Sequence, residues 1–164
     1  MASKRFTVEK KRARKKKTDY KLRLKLLKSS KPRLVIRKSL KNINLQVVES
    51  ENAQDKILTA ANSKELKKMG WNHSSANIPA SYLTGLILGK KTLKKGIEEV
   101  ILDLGLQKSI VKSRLYAALK GCIDGGLKTS HNPNVFPEDD RIKGKHINQE
   151  SDFEKVKKKI MQNG

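Results

Sequence analysis

The sequence is poor in cysteine, aromatics and acid, and each shortage removes a class of reading. Its single cysteine, Cys122, has no partner for an intrachain disulfide and no C-x-x-C companion for metal or redox chemistry, as expected in a reducing compartment. With one Trp, three Tyr and three Phe, aromatics make up 4% of the residues, so the core must be mostly aliphatic. No apolar run reaches spanning length, SYLTGLILG being the longest, and the start MASKRFTVEKKR lacks the apolar stretch of a signal peptide. A cytosolic chain is the expectation.

Acid is the sharpest shortage. Against 38 Lys and Arg stand 16 Asp and Glu, a formal net charge of +22 and a pI near 10.2. Such a field attracts polyanions. The charge is front-loaded: residues 1–41 hold 18 of the basic residues and only Glu9 and Asp19 as acids. A membrane-surface segment would need a broad apolar face beside these cations, and residues 1–17 offer little more than Met1, Phe6 and Val8. Membrane binding is therefore disfavoured, and RNA is the preferred partner. Arg suits bidentate phosphate contacts, and an unstructured arm enters grooves that a rigid domain cannot.

Three segments are expected. Residues 1–17 are a basic N-terminal arm with almost nothing to bury, held open by like-charge repulsion until an anion neutralises it. Residues 18–130 carry the periodic pattern of an α/β core, and residues 131–164 form a C-terminal arm and short helix. Within the core, Thr18 or Asp19 caps a helix from about Tyr20 with Leu22, Leu26 and Leu27 on one face, ended by Pro32. R33-L-V-I-R37 and I43-N-L-Q-V47 read as an antiparallel pair turning near Lys41 and Asn42, and Lys56 to Ala61 as a third strand after a turn at Glu51 to Gln54. A short helix from Lys64 to Met69 stops at Gly70.

Asn77 caps the longest helix, with Pro79 in its first turn, a face of Tyr82, Leu83, Leu86, Ile87 and Leu93, and Gly85 and Gly89 permitting close approach. E98-E-V-I-L-D-L-G105 reads as a buried strand and S113 to D124 as a second helix ended by Gly125 and Gly126. A strand between two helices implies a crossover onto a sheet covered on both faces. His131 to Ile147 reads as an extended surface arm, and residues 151–163 as a final helix with Phe153, Val156 and Ile160 on one side.

Catalytic and metal motifs find little support. Gly85 to Gly89 has one residue too few for a P-loop and lies inside a helix. His73, His131 and His146 are far apart, with no second ligand at zinc spacing, and are read as surface groups or RNA contacts. Cys122, on an aliphatic helix face, is most simply a small core residue. No cofactor or metal is implied. The remaining chemistry is basic: Lys21, Arg23, Arg33, Arg37, Lys38 and Lys41, then Arg114 and Lys120, then Arg141, Lys143 and Lys145, spread over several elements as candidates to line one extended surface.

The blocks TDYKLRLKLLKSSKPRLVIRKSLKNI, NIPASYLTGLILGKK, GIEEVILDLGL, ALKGCIDGGLKTSHN and FPEDDRIKGKHI cover most of residues 18–147. In them the sequence resembles the universal 5S rRNA-binding family of the large ribosomal subunit, family eighteen, in its archaeal and eukaryotic-like form. The resemblance implies an α/β fold with a ribonuclease H-like motif, a mixed sheet and flanking helices. It also implies a non-enzymatic role: binding 5S rRNA, helping attach it to the large-subunit rRNA, and building the central protuberance beside neighbouring ribosomal proteins. Residues carried over as RNA contacts are Lys10, Lys11, Arg12, Arg14, Lys15, Lys16, Lys17, Tyr20, Arg23, Arg33, Arg37, Lys38 and Ser39. Arg114, Lys120, His131, Arg141, Lys143 and His146 join them as candidates on charge and chemistry.

The chain departs from the family pattern in places. Where family members often read S-G-K-P and S-N-x-H, it has Ser30 for Gly, and Leu40 and Asn42 for Asn and His, so a contact made by that His is not carried over. It also stops without the long acidic extension of some relatives. The rival readings are a sequence-indifferent RNA chaperone and a metal-dependent nuclease-like enzyme, for which Glu98, Glu99 and Asp103 offer no convergent set.

Overall fold

A computed structural model describes residues 8–51 and 54–162. The described part of the basic arm contains one helical turn, α1 (Lys11–Arg14), which buries no residue. Helix α2 (Tyr20–Leu27) is capped by Asp19, whose carboxylate accepts from the Lys21 and Leu22 amides. It stops before Pro32: Lys28 is the C-cap, and Ser30, in the left-handed region at φ 54°, turns the chain first. Strands β1 (Arg33–Lys38), β2 (Ile43–Glu51) and β3 (Gln54–Asn62) follow. β1 and β2 pair antiparallel, with Leu34 opposite Val47 and Ile36 opposite Leu45. β2 and β3 pair antiparallel through an irregularity at Val47 and Val48. Residues 52–53 of the expected turn lie outside the described residues.

Asn62 and Glu65 close a capping box on a 3-10 segment, Ser63–Met69, tighter than the helix expected there and ended by Gly70 at φ 96°. Helix α3 (Ile78–Leu93) starts as expected at Asn77, which accepts from the Ala80 amide. One apolar face was expected of it, yet it is buried all round from Pro79 to Gly89, because the sheet lies on one side and later helices on others. Strand β4 (Ile101–Asp103) is shorter than the buried strand expected over 98–105. It is a half-exposed edge strand, parallel to β1, and Glu99 adds an isolated bridge to Lys128. The sheet order is β3-β2-β1-β4, a mixed sheet with flanking helices.

Helix α4 (Arg114–Asp124) packs along α3 where glycines replace side chains. A Cβ at Gly121 would lie 2.1 Å from the Tyr82 carbonyl oxygen, and one at Gly85 2.1 Å from that of Ala118. Only glycine allows these two helix backbones to touch. The segment expected as an extended arm is instead folded into 3-10 turns at Pro133–Val135 and Lys145–Ile147 around α5 (Asp139–Lys143), whose Ile142 is buried. Helix α6 (Glu150–Gln162) buries the expected Phe153, Val156 and Ile160, with Phe153 5.7 Å from the Tyr82 ring.

Alternation along the strands sends Leu34, Ile36, Ile43, Leu45, Val47 and Ala61 to one face, and that face forms the core with α3 and α4. The Thr59 and Thr92 hydroxyls hydrogen bond across this layer at 2.8 Å. The expected cover on both faces is uneven. The opposite face presents Arg33, Val35 and Arg37 from β1 and Gln46 and Val48 from β2, and only α2 and the arm flank it. Arginines on a face select carboxylates and solvent over an apolar helix. Cys122 is fully buried as a core residue, and burial pushes its thiol pKa well above the ordinary value, away from reactivity.

Candidate nucleic-acid interface

On the open face an ionic ladder crosses from α2 to the sheet edge. The Arg23 guanidinium donates to both oxygens of Asp55 at 2.9 and 2.8 Å. Arg33 donates to Asp55 at 2.8 Å and to Asp103 at 2.8 Å. Arg37 donates to the Asp103 carboxylate at 3.0 Å and to its backbone carbonyl at 2.7 Å. Three cations thus alternate with two carboxylates. Arg33, the middle one, is 3% exposed, and a guanidinium is buried to that degree only when paired.

Burial tends to raise the Asp55 pKa, but hydrogen bonds from Arg23 and Arg33 outweigh it and hold the carboxyl below its ordinary value. The hydrogen bond that Arg23 donates to Asp55 in turn raises the Arg23 pKa.

The arm lies over this array. Arg12 donates from Nε to the Thr18 hydroxyl at 3.0 Å, and the Lys10 ammonium sits 4.7 Å from the Tyr20 ring centroid. Between arm, α2 and sheet opens a cleft of about 340 Å³, reached by Arg12, Lys17, Arg23, Arg33 and Arg37 on the basic side and by Asp19, Asp55 and Asp103 on the acidic side. All three acids are engaged, Asp19 at the helix cap and the others by arginine. The cleft's five cations outnumber its three carboxylates.

The candidate residues divide by place. Lys11, Arg14, Lys15, Lys16 and Lys17 are exposed and make no ion pair with any described residue. Lys38 and Ser39 sit at the end of β1, where the Ser39 hydroxyl closes the β1–β2 turn onto Asn42. Arg114 is drawn inward, donating to the Ala76 carbonyl at 2.7 Å. Lys120 and Lys143 line another hollow, beside Tyr82 and Asp139 among the helices. His131 lies against the Phe136 ring, while Arg141 and His146 are exposed on the C-terminal segment. One continuous surface was expected. The helical layer separates Lys120 and Lys143 from the open sheet face, because α3 and α4 fill the space beneath it. Arg33 lies within the ladder and presents no free guanidinium edge to solvent.

A second basic patch was not anticipated from the sequence. Lys41 at the β1–β2 turn meets Lys64 and Lys67 of the 3-10 segment around a hollow with no acidic lining. Lys64 and Lys67 are one turn apart, a spacing visible in the sequence, but their meeting with Lys41 requires the tertiary fold.

A family model described as the ribosomal large subunit proteins 60S L5 and 50S L18 matches residues 4–99. The chain belongs to that family. Large ribosomal subunit protein uL18 of Methanothrix thermoacetophila is 44% identical over 163 residues, covering 96% of each chain. The proteins of that name from Methanococcoides burtonii and Korarchaeum cryptofilum are 45% and 46% identical, over 96% and 87% of this chain and 95% and 73% of theirs. As a member of the family, this chain carries its basic cleft within the matched span, since Arg12, Arg23, Arg33, Arg37 and Asp55 all fall inside it. Asp103 and the C-terminal helices lie beyond the family model, while the match to the Methanothrix protein covers 96% of the chain. Among the described residues no group of three His, Cys, Asp or Glu is placed to hold a metal ion, and no helix is long and apolar enough to cross a membrane.

Proposed function

We propose that this chain is a structural, non-enzymatic component of the cytoplasmic large ribosomal subunit that binds 5S rRNA and helps attach it to the large-subunit rRNA in the central protuberance. The observation that carries this reading is the convergence of arm and sheet: Arg12 and Lys17 from the arm meet Arg23, Arg33 and Arg37 at one cleft where cations outnumber acids. Charge of this density, fixed on one side and tethered on the other, suits a folded RNA more than a small anion.

Residues 1–17 supply electrostatic reach, residues 18–130 hold register, and residues 131–164 brace the helical layer and offer surface to neighbouring proteins. The named site residues act as phosphate and sugar contacts, with Tyr20 as a stacking group and Arg33 acting through the arginines and carboxylates that it orders. A metal-dependent nuclease would need converging carboxylates free to ligate, and Asp103 is instead held by two arginines.

Equilibrium binding of the full chain to 5S rRNA, against a length-matched RNA of scrambled sequence at 150 mM salt, tests the reading. A preference for 5S rRNA of at least tenfold is expected. Equal affinities would leave a sequence-indifferent RNA chaperone as the better account. Turnover of RNA that survives stringent purification and requires magnesium would return the enzyme.

A further inference from the structure

The cleft on the open sheet face holds a feature that its ion pairs leave unexplained. Arg33 makes two guanidinium contacts to carboxylates, yet its Nε is buried with no hydrogen-bond partner among the described residues. At 3% exposure that group is sealed within the ladder, out of reach of a ligand, and the free polar group that the cleft presents is a different one. Gln46, opposite Val35 in the strand register, lines the same cleft, and its side-chain amide bonds to no other described residue. It offers one donor group and one acceptor, as the edge of a base requires. The floor of the cleft is aliphatic, formed by Val35, Val48 and Ile57. Arg12 and Lys17 contribute to its basic wall.

We propose that this cleft takes a single unpaired nucleotide of the bound RNA. Its base lies on the aliphatic floor, the Gln46 amide meets its polar edge, and its flanking phosphates meet Arg12 and Lys17. The cleft volume of about 340 Å³ stands at the small end of the range for small-molecule sites, about 300–1,000 Å³. That is room for one nucleoside and not for a base pair. A paired base cannot enter, since the A-form major groove is deep and narrow and its bases are stacked inward. Extruding a base costs a few kcal/mol and least where it is already unpaired, so a bulge or loop nucleotide is the class selected. The proposal rests on the reading that this face binds RNA and adds to it the unit that the face reads.

The test uses the full chain with 5S rRNA, probed by hydroxyl radicals for the backbone and by base-directed alkylation for unpaired bases. Wild type is expected to give a backbone footprint and to protect the base of one or two unpaired nucleotides. Gln46→Leu, of similar volume, is expected to keep the footprint and restore alkylation there by at least fivefold. Ile57→Glu, at a side chain already 54% exposed, places a carboxylate at the cleft and is expected to do the same. Thermal melts of both variants establish that they fold. A footprint with no base protection that either variant relieves overturns the nucleotide cleft while leaving RNA binding intact. Absence of any footprint in wild type overturns the RNA reading itself. In a parallel titration of the free chain, uridine monophosphate is expected to shift the Gln46 and Ile57 amide resonances where inorganic phosphate at equal concentration does not. Equal shifts would reduce the cleft to an anion site and overturn the base contact.

Discussion

Removing residues 1–17 separates the arm's contribution from that of the fold. The described part of the arm carries Lys10, Lys11, Arg12, Arg14, Lys15, Lys16 and Lys17, seven cations with no ion pair to any described carboxylate. Each that neutralises a phosphate releases counterion, and the logarithm of affinity falls with the logarithm of salt by roughly 0.7–0.9 per contact. Six or seven contacts give a slope change of about 4–6, which between 50 and 200 mM amounts to a factor of several hundred to several thousand. The deletion should therefore bind 5S rRNA more weakly at low salt and lose far less affinity as salt rises. The fold should survive, because α1 buries nothing, and a thermal melt matching the full chain within a few degrees verifies this. Affinity measured by fluorescence anisotropy at four salt concentrations supplies the slope. An unchanged slope in a folded deletion would refute the reasoning and make the arm a bystander.

Other consequences follow from particular contacts. Gly121→Ala sets a methyl against the Tyr82 carbonyl, a clash that the roughly 1 kcal/mol gain in helix propensity does not offset; a net loss of about 2 kcal/mol is expected in denaturant melts, and an unchanged midpoint would show that the helices part freely. Ser30→Gly relieves a serine held in the left-handed region, and calorimetry should find a gain of about 1 kcal/mol. Asp55 has a folded pKa below its unfolded value, so the stability that it contributes is present above about pH 4 and lost as pH falls through the folded pKa. The stability difference between wild type and Asp55→Asn should accordingly be present at pH 6 and shrink below pH 4; a constant difference across that range would mean that the ladder does not depend on the charge of Asp55.

Local order was legible where a residue type has one strong local preference. Asn77 with Pro79 announced the start of α3, Gly70 the end of the 3-10 segment, and the spacing of Phe153, Val156 and Ile160 the buried stripe of α6. Each depends on dihedral preference, or on a period of 3.6 residues, within one turn or two. Errors arose where distant segments decide. Pro32 seemed the stop of α2 because proline is the louder breaker, but the chain had already turned at Ser30. The short β4 borrows its pairing from β1, and nothing within residues 98–105 states how many of them the partner can reach.

The interface divides along the same line. Sequence alone determined that this is a polycation with a basic arm, a mixed α/β order and family-specific blocks, because charge count, alternation and motif are properties of the chain that folding does not change. Only the tertiary structure decided which cations remain available. Sequence ranks Arg33 and Lys17 together as basic residues, but a separation of 22 residues from Asp55 and 70 from Asp103 vanishes in the sheet and turns Arg33 into the buried centre of a ladder. The same pairing seals its Nε within the ladder and leaves the Gln46 amide as the free polar group lining the cleft. A hydrogen bond falls off within an ångström, so only the fold can assign its partner.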